Sequence, residues 1–356
     1  MKRIYFQLFS LFVLVISFSC TKNTVPYTQS GNFMAESQLN GPARSEAVSF
    51  VINNFAFVGT GWDGLNTRYT DFWRYDPNQN VWSQVASMPD STARSSAFGM
   101  SVNGLGYVGT GYNGFNYLND FYQFDPVANT WSRKANFPNS ARYEAVAFSI
   151  GNYGYAGTGF DGSNAQKDFY RYDPSADQWM DIGFSGNKRY GAVAFVYNNK
   201  GYLVTGVNNG IMQSDFWVYD PASDTAKWAE LRHITNYSSD SYDDSYTTIA
   251  RWNGVGFVAN GHAYITTGEN GVYYNYTWEY TFQNASNTGD LWTEKTPYEV
   301  APTSGAVGFG LTPTASSAAG GGGGYVGTGR TSPGQTGASD YLCQWFPLET
   351  VNPNDN

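Results

Sequence analysis

The stretch ARSSAFGMSVNGLGYVGTGYNGFNYLNDFYQFDPVANTWSRK, residues 93–134, decides the fold because its landmarks recur along the chain. Arg94 is followed sixteen positions later by Thr110-Gly111, then by Asp120-Phe121, Asp125-Pro126 and Trp131. The same series runs Arg44, Thr60, Asp71, Asp76, Trp82, then Arg142, Thr158, Asp168, Asp173, Trp179, then Arg189, Thr205, Asp215, Asp220, Trp228. Worn copies start at Arg251 and Thr303. Self-similarity at a period of about fifty residues means one folding unit copied, not a set of different domains.

Each unit breaks into four strand-like runs, in the second copy Ala97 to Val102, Gly106 to Gly111, Asp120 to Asp125 and Thr130 to Lys134. Asn103-Gly104 is a hairpin turn between the first two, and Asp125-Pro126 separates the last two. A four-stranded antiparallel blade cannot bury both faces alone, and radial stacking of such blades gives a propeller. Ala47, Ala97, Ala145, Ala192, Gly254 and Ala306 put a small residue at one point of every first strand, as crowding at an axis demands. Trp82, Trp131, Trp179, Trp228 and Trp292 mark the fourth strands, where blades are widest. The sixth copy ends after its third strand. Asn32 to Ser37 leads into Pro42-Ala43-Arg44 as Thr130 to Ser132 leads into Ala141-Arg142, so the N-terminal segment is expected to supply the missing outer strand, with Phe33 in the tryptophan position. The sequence thus predicts an all-β, six-bladed β-propeller over residues 32–348, closed by an N-terminal strand, with 349–356 as a disordered tail.

These residues resemble the kelch-repeat proteins over nearly all of Phe33 to Pro347. The likeness rests on the Thr-Gly that ends each second strand, the Asp-Phe-x-x-Tyr-Asp-Pro run and the downstream Trp. Kelch repeats usually show a glycine pair where this chain has Thr60-Gly61 and its counterparts. Tyr276 stands for Asp in copy five and Thr303 for Arg in copy six.

The chain carries a formal charge of −9, and loss of Lys2 and Arg3 would make it more acidic still. Such a surface repels phosphate backbones, so nucleic acid is not an expected partner. Residues 1–19 place Lys2 and Arg3 before an apolar run, Ile4 to Ile16, too short to span a bilayer comfortably, which reads as a cleaved signal peptide. The ending Ser17-Phe18-Ser19-Cys20 resembles the lipobox of bacterial lipoproteins, with Phe18 where a small residue is usual. That resemblance implies lipid attachment at Cys20, an exported protein of the bacterial cell envelope, and an outer-membrane lipoprotein touching the membrane through its anchor alone. Residues 20–31 then read as a flexible tether. Cys343 is the one other cysteine, which excludes a disulfide framework.

With alternating strands, the loop after each second strand and the loop entering the next blade open on one face, where ligands are usually bound. That face gathers Trp62, Tyr112 and Phe160 from the first kind of loop and Tyr143, Tyr190 and Trp252 from the second, with Glu46 and Glu144 beside them. The positions just after each recurrent Arg vary most between copies, as an asymmetric ligand requires. Arg44, Arg94, Arg142, Arg189 and Arg251 form a ring that invites an anionic ligand, but a structural role is the expectation. Because copy five lacks the Asp and copy six the Arg, each Asp is expected to pair with the Arg of the following blade: Asp71 with Arg94, Asp120 with Arg142, Asp168 with Arg189, Asp215 with Arg251, and Asp340 with Arg44. The loop His233 to Thr248 opens on the same face.

Galactose oxidase also uses a kelch propeller, but its copper site needs two His with Tyr and a Tyr–Cys cross-link. Here the two histidines, His233 and His262, fall at opposite ends of their blades, so neither metal nor other cofactor is expected. No Asp box of the sialidase kind is present, and the Gly320 to Gly324 run reads as a loop on the far face. The sequence points to a non-catalytic binding module for a glycan or an envelope protein. The alternatives are a sialic-acid-type sugar epimerase or mutarotase, with Glu46 or Glu144 as general acid or base, and a structural assembly subunit.

Overall fold

The computed structural model describes residues 29–225, 227–283, 289–314, 320–331, 337–352 and 354. The expected signal peptide, Cys20 and the tether up to residue 28 lie outside the described residues, as do residues 315–319 ahead of the glycine run.

Six four-stranded antiparallel sheets succeed one another around an axis. Blade one is built of Val48–Ile52, Phe55–Gly59, Phe72–Asp76 and Val81–Val85, each strand pairing with the next. Blades two to five repeat that order. Blade six takes Val307–Gly310, Gly324–Gly327 and Leu342–Thr350 from the C-terminal end and Ser30–Ala35 from the N-terminal end. The closing strand pairs Phe33 with Trp345, the register in which Tyr75 faces Trp82 and Phe124 faces Trp131. Phe33 is wholly buried, 4.5 Å from the Trp345 ring and 5.2 Å from Tyr298. The large ring has moved to the third strand in this blade alone, which conserves the volume of the pair. The bounds lie slightly outside the sequence reading: Ser30 and Gly31 belong to the closing strand, not the tether, and Glu349 and Thr350 to the third strand, not a tail.

The recurring residues turn out to be the joints. Tryptophans of the fourth strands stack on the aromatic of their own third strand, as Tyr172 and Trp179 do at 4.9 Å. They also reach back to the previous blade: Trp131 Nε1 donates to Ala86 O at 2.8 Å and Trp228 Nε1 to Gly183 O at 2.9 Å. Trp82 does the same across the closure, to Ser37 O at 2.8 Å. Each Thr-Gly locks to the following blade through the glycine N–H, which bonds the carbonyl of the next ring position: Gly61 to Arg94, Gly111 to Arg142, Gly159 to Arg189, Gly206 to Arg251, Gly268 to Thr303 and Gly329 to Arg44, at 2.7–2.9 Å. A Cβ on Gly61, at φ +95°, would lie 2.8 Å from Ser45 O, so the close approach of chain to chain requires glycine there.

The arginines pair within their own repeat, which corrects the sequence expectation. Arg44 holds Asp71 through both guanidinium ends at 2.8 and 2.7 Å, Arg94 holds Asp120 at 2.7 and 2.9 Å, and Arg142 holds Asp168 in the same fork. Arg189 holds Asp215 at 2.5 Å. All these guanidinium groups are fully buried. Arg251, facing Tyr276, is left with carbonyl partners only, from Thr248, Ile249, Thr267 and Tyr276. Burial without a carboxylate pushes Arg251 down to about 9. Tyr276→Asp should restore the missing partner and raise stability by about 1–2 kcal/mol, since charge-assisted hydrogen bonds exceed neutral ones. A denaturation midpoint at or below wild type would count against this account of the ring.

Candidate functional site

Two residues past each ring arginine, and past Thr303 in the sixth repeat, the chain turns through the left-handed region: Glu46, Ser96, Glu144 and Asn253 have φ of 52–55°, and Gly191 and Gly305 have 60° and 66°. Their backbones form a closed circle around the axis. Ser96 N–H donates to Glu46 O, Glu144 to Ser96, Gly191 to Glu144, Asn253 to Gly191, Gly305 to Asn253 and Glu46 to Gly305, at 2.7–3.2 Å. Left-handed backbone is unfavourable for a side-chain-bearing residue. The circle of hydrogen bonds holds it, and it turns the side chains of Glu46, Ser96, Glu144 and Asn253 toward the axial cavity. That cavity, about 120 Å³, is lined by these six positions and the small residues that follow them, Ala47 to Ala306.

Above this floor a rim runs without a break. Each residue after a ring arginine bridges the residue after a Thr-Gly: Ser45 with Trp62, Ser95 with Tyr112, Tyr143 with Phe160, Tyr190 with Val207, Trp252 with Glu269 and Ser304 with Arg330. Half the rim is aromatic. Tyr112 leans on Tyr117 at 5.4 Å, Tyr117 stacks on Tyr143 at 5.4 Å, Tyr143 meets Phe160 at 5.8 Å, Phe160 meets Tyr190 at 5.1 Å, and Tyr190 meets Trp252 at 5.7 Å. The other half holds Val207, three serines and the charged residues Glu269 and Arg330. Ser304 Oγ donates to Glu269 Oε1 at 2.5 Å, Arg330 lies 3.6 Å from Glu46 and over the Trp62 ring, and Arg68 spans Trp62 and Tyr112.

Every rim and floor residue singled out in the sequence, Trp62, Tyr112, Phe160, Tyr143, Tyr190, Trp252, Glu46 and Glu144, is brought to this mouth. Sequence reading missed Arg68, Tyr117, Glu269 and Arg330. Glu269 and Arg330 occupy the position of Trp62 in the worn repeats, so carrying the repeat alignment one residue past Thr267-Gly268 and Thr328-Gly329 would have found them. Part of the loop His233 to Thr248 packs inward. Ile234 and Tyr246 are buried against blades four and five, and Tyr246 Oη accepts the Trp292 N–H at 2.7 Å, so much of the loop plugs a seam. Its aromatics do not line the axial cavity.

Polar atoms at the mouth are left without protein partners. Among the described residues, Trp62 Nε1, Arg68 Nε, Ser95 Oγ, Glu144 Oε2 and Arg330 Nε are buried and make no hydrogen bond. Buried polar groups are normally paired, so a cluster of exceptions calls for a reason. Glu144 is the sharpest case. Its Oε1 accepts from Asn253 Nδ2 at 3.2 Å, while Ser96 bonds the neighbouring Glu46 carboxylate at 2.8 Å. Burial, then the negative charge of Glu46, push the Glu144 carboxyl up to about 8, against the Asn253 hydrogen bond. Glu269 is raised as well, chiefly by burial. At neutral pH Glu144 is therefore mainly protonated and can donate as well as accept. No group of three or more His, Cys, Asp or Glu side chains is arranged to hold a metal among the described residues.

Fold and repeat define a six-bladed β-propeller, and comparison with known proteins finds a Kelch motif in its first blade. Residues 61–89, from the end of the second strand of blade one to just past its fourth, match the Kelch motif. No curated protein matches the chain. Among solved structures, one titled "Structure of YjhT" superposes with a TM-score of 0.65 at 14% identity, covering 86% of this chain and 96% of that one. Likeness at that identity speaks to the fold alone.

Proposed function

We propose that the protein is a glycan-binding module of the bacterial envelope, exported and lipid-anchored through Cys20, that takes its ligand end-on at the axial mouth. The observation that carries the reading is the pairing of an aromatic half-rim with five unpartnered polar atoms around one cavity. Sugars present apolar C–H faces to aromatic rings and hydroxyls to polar atoms, so both halves of the rim have work on one ligand. Screening the protein against a glycan array tests the idea. Trp252→Ala should weaken the ligand so found by about tenfold or more while moving the melting temperature by less than about 2 °C, as for an aromatic anchor at a binding surface. A blank array, with one protein recovered from envelope extract, would favour an assembly subunit.

Glu144 supplies a pH signature. Because its protonated form is the donor, affinity should stay flat to about pH 8 and then fall about tenfold per pH unit, and Glu144→Gln should abolish that fall. A fall of equal steepness in the variant would remove Glu144 from binding.

The closeness of two carboxyls, one holding a proton at neutral pH, also favours a second reading as a sugar mutarotase. One carboxyl would protonate the ring oxygen while the other takes the proton of the anomeric hydroxyl, so that the bond from the anomeric carbon to the ring oxygen breaks, a carbonyl forms and the ring can reclose on either face. If N-acetylneuraminate anomers equilibrate no faster with the protein than without it, that reading is removed for this sugar.

A further inference from the structure

Blade four departs from its neighbours at one atom. In blades one to three both oxygens of the aspartate are held by the arginine fork. In blade four Arg189 gives Nη1 to the Thr205 carbonyl and only Nη2 to Asp215 Oδ2, which also takes the Trp217 indole N–H at 2.6 Å. Asp215 is 6% exposed, and its Oδ1 accepts no hydrogen bond. This carboxylate forms part of the wall of a cleft of about 450 Å³, larger than the axial cavity and sharing no residue with it. The same cleft is lined by a second polar cluster. His233 sits between Glu230, 3.3 Å from its Nε2, and Ser214, 3.5 Å from its Nδ1, and stacks on Tyr237 at 4.3 Å. Met212 and Trp217 supply apolar wall, and no Lys or Arg lines the cleft among the described residues.

We infer that this cleft binds a primary ammonium or guanidinium group, whose N–H donors reach Asp215 Oδ1 and Glu230 while its alkyl stem lies on Trp217 and Met212. A buried carboxylate oxygen without a donor is satisfied best by a charged donor, and an indole face beside it favours a cation over a neutral group. Two sources present this chemistry, a lysine or arginine side chain of another protein and a free polyamine. The site does not depend on the axial reading.

Titration calorimetry on the full chain tests the assignment with four probes: Nα-acetyl-lysine methylamide, Nα-acetyl-arginine methylamide, cadaverine and the uncharged Nα-acetyl-norleucine methylamide. The charged probes should bind saturably, and the norleucine analogue at least about tenfold more weakly. Tighter binding of the lysyl or arginyl probe identifies a protein side chain as the natural group, and tighter binding of cadaverine a polyamine. Asp215→Asn should weaken the charged probes by more than about tenfold, but it also strips Arg189 of its partner. Glu230→Gln, on a side chain 45% exposed, carries the test with the fold intact and should weaken them about three- to tenfold. Trp252→Ala should leave these affinities unchanged, which separates this cleft from the axial mouth. The inference is overturned by absent saturation with all charged probes, by equal affinity for the norleucine analogue, or by wild-type affinity in Glu230→Gln.

Discussion

Phe33→Ala is expected to cost about 3–5 kcal/mol, the range for emptying a fully buried aromatic site. The argument is local and global at once. Locally, the Phe33 ring fills the space between Trp345 and Tyr298, and its N–H donates to Glu299 Oε2 at 2.7 Å, so truncation leaves a cavity that rigid strands cannot close. Globally, the strand that carries Phe33 is the clasp of the ring. Beyond it, Glu36 N–H bonds Leu342 O at 2.8 Å and Leu39 N–H bonds Asp340 O at 2.9 Å on blade six. On the other side Ser37 N–H donates to Asn80 Oδ1 and Trp82 Nε1 to Ser37 O, both at 2.8 Å, on blade one. Loosening the clasp therefore exposes a sheet edge and frees the first and last blades together. Urea denaturation reads the effect as a lower midpoint at an unchanged slope. An unshifted midpoint would mean that the ring is held shut without this strand.

Asp168→Ala is expected to cost a further set of about 3–5 kcal/mol, in this case because it leaves a fully buried guanidinium without its counter-charge. The melting temperature should fall by roughly 5–10 °C. The pH dependence gives an independent check. Burial alone would raise the Asp168 carboxyl, but the hydrogen bonds and charge of Arg142 outweigh it and hold the group below its usual range, as Arg44 and Arg189 do for Asp71 and Asp215. A carboxylate depressed in the folded state lends stability that is fully present above about pH 4 and is lost as pH falls through its folded value. Glu144 works with the opposite sign. Raised to about 8, it favours the folded state while protonated, and that advantage disappears as pH rises from about 4.5 through 8. Stability should then peak in mildly acidic solution. Asp168→Ala should flatten the acid limb of that curve and Glu144→Gln the alkaline limb, each leaving the other limb in place. An acid limb as steep in Asp168→Ala as in the wild type would show that these pairs do not govern acid unfolding.

The pairing of the ring also shows where sequence reading fails. Asp71 lies between Arg44 and Arg94 in the chain, and losses of Asp in copy five and Arg in copy six fit a rule in which every survivor has a partner. The folded chain breaks that rule. Arg251 makes do with four carbonyls, and Asp340 belongs to a repeat whose arginine is Thr303. A carbonyl cage tolerates a guanidinium because backbone oxygens are abundant where the chain turns, and no sequence pattern records that supply.

Taken alone, the sequence determined the six blades, the strand order within each, the small residues at the axis and the swapped closure at Phe33. All of these follow from a repeat period and from alternation along single strands, which are local properties. Tertiary structure alone decided the arginine partners, the circle of left-handed residues that turns Glu144 and Glu46 into one cavity, and the entry of Arg68 and Tyr117 into the rim. Those depend on distances in the folded chain, between blades for the circle and between strands of one repeat for the arginines. A carboxyl becomes a proton donor at neutral pH only when folding strips it of water and sets another carboxylate beside it.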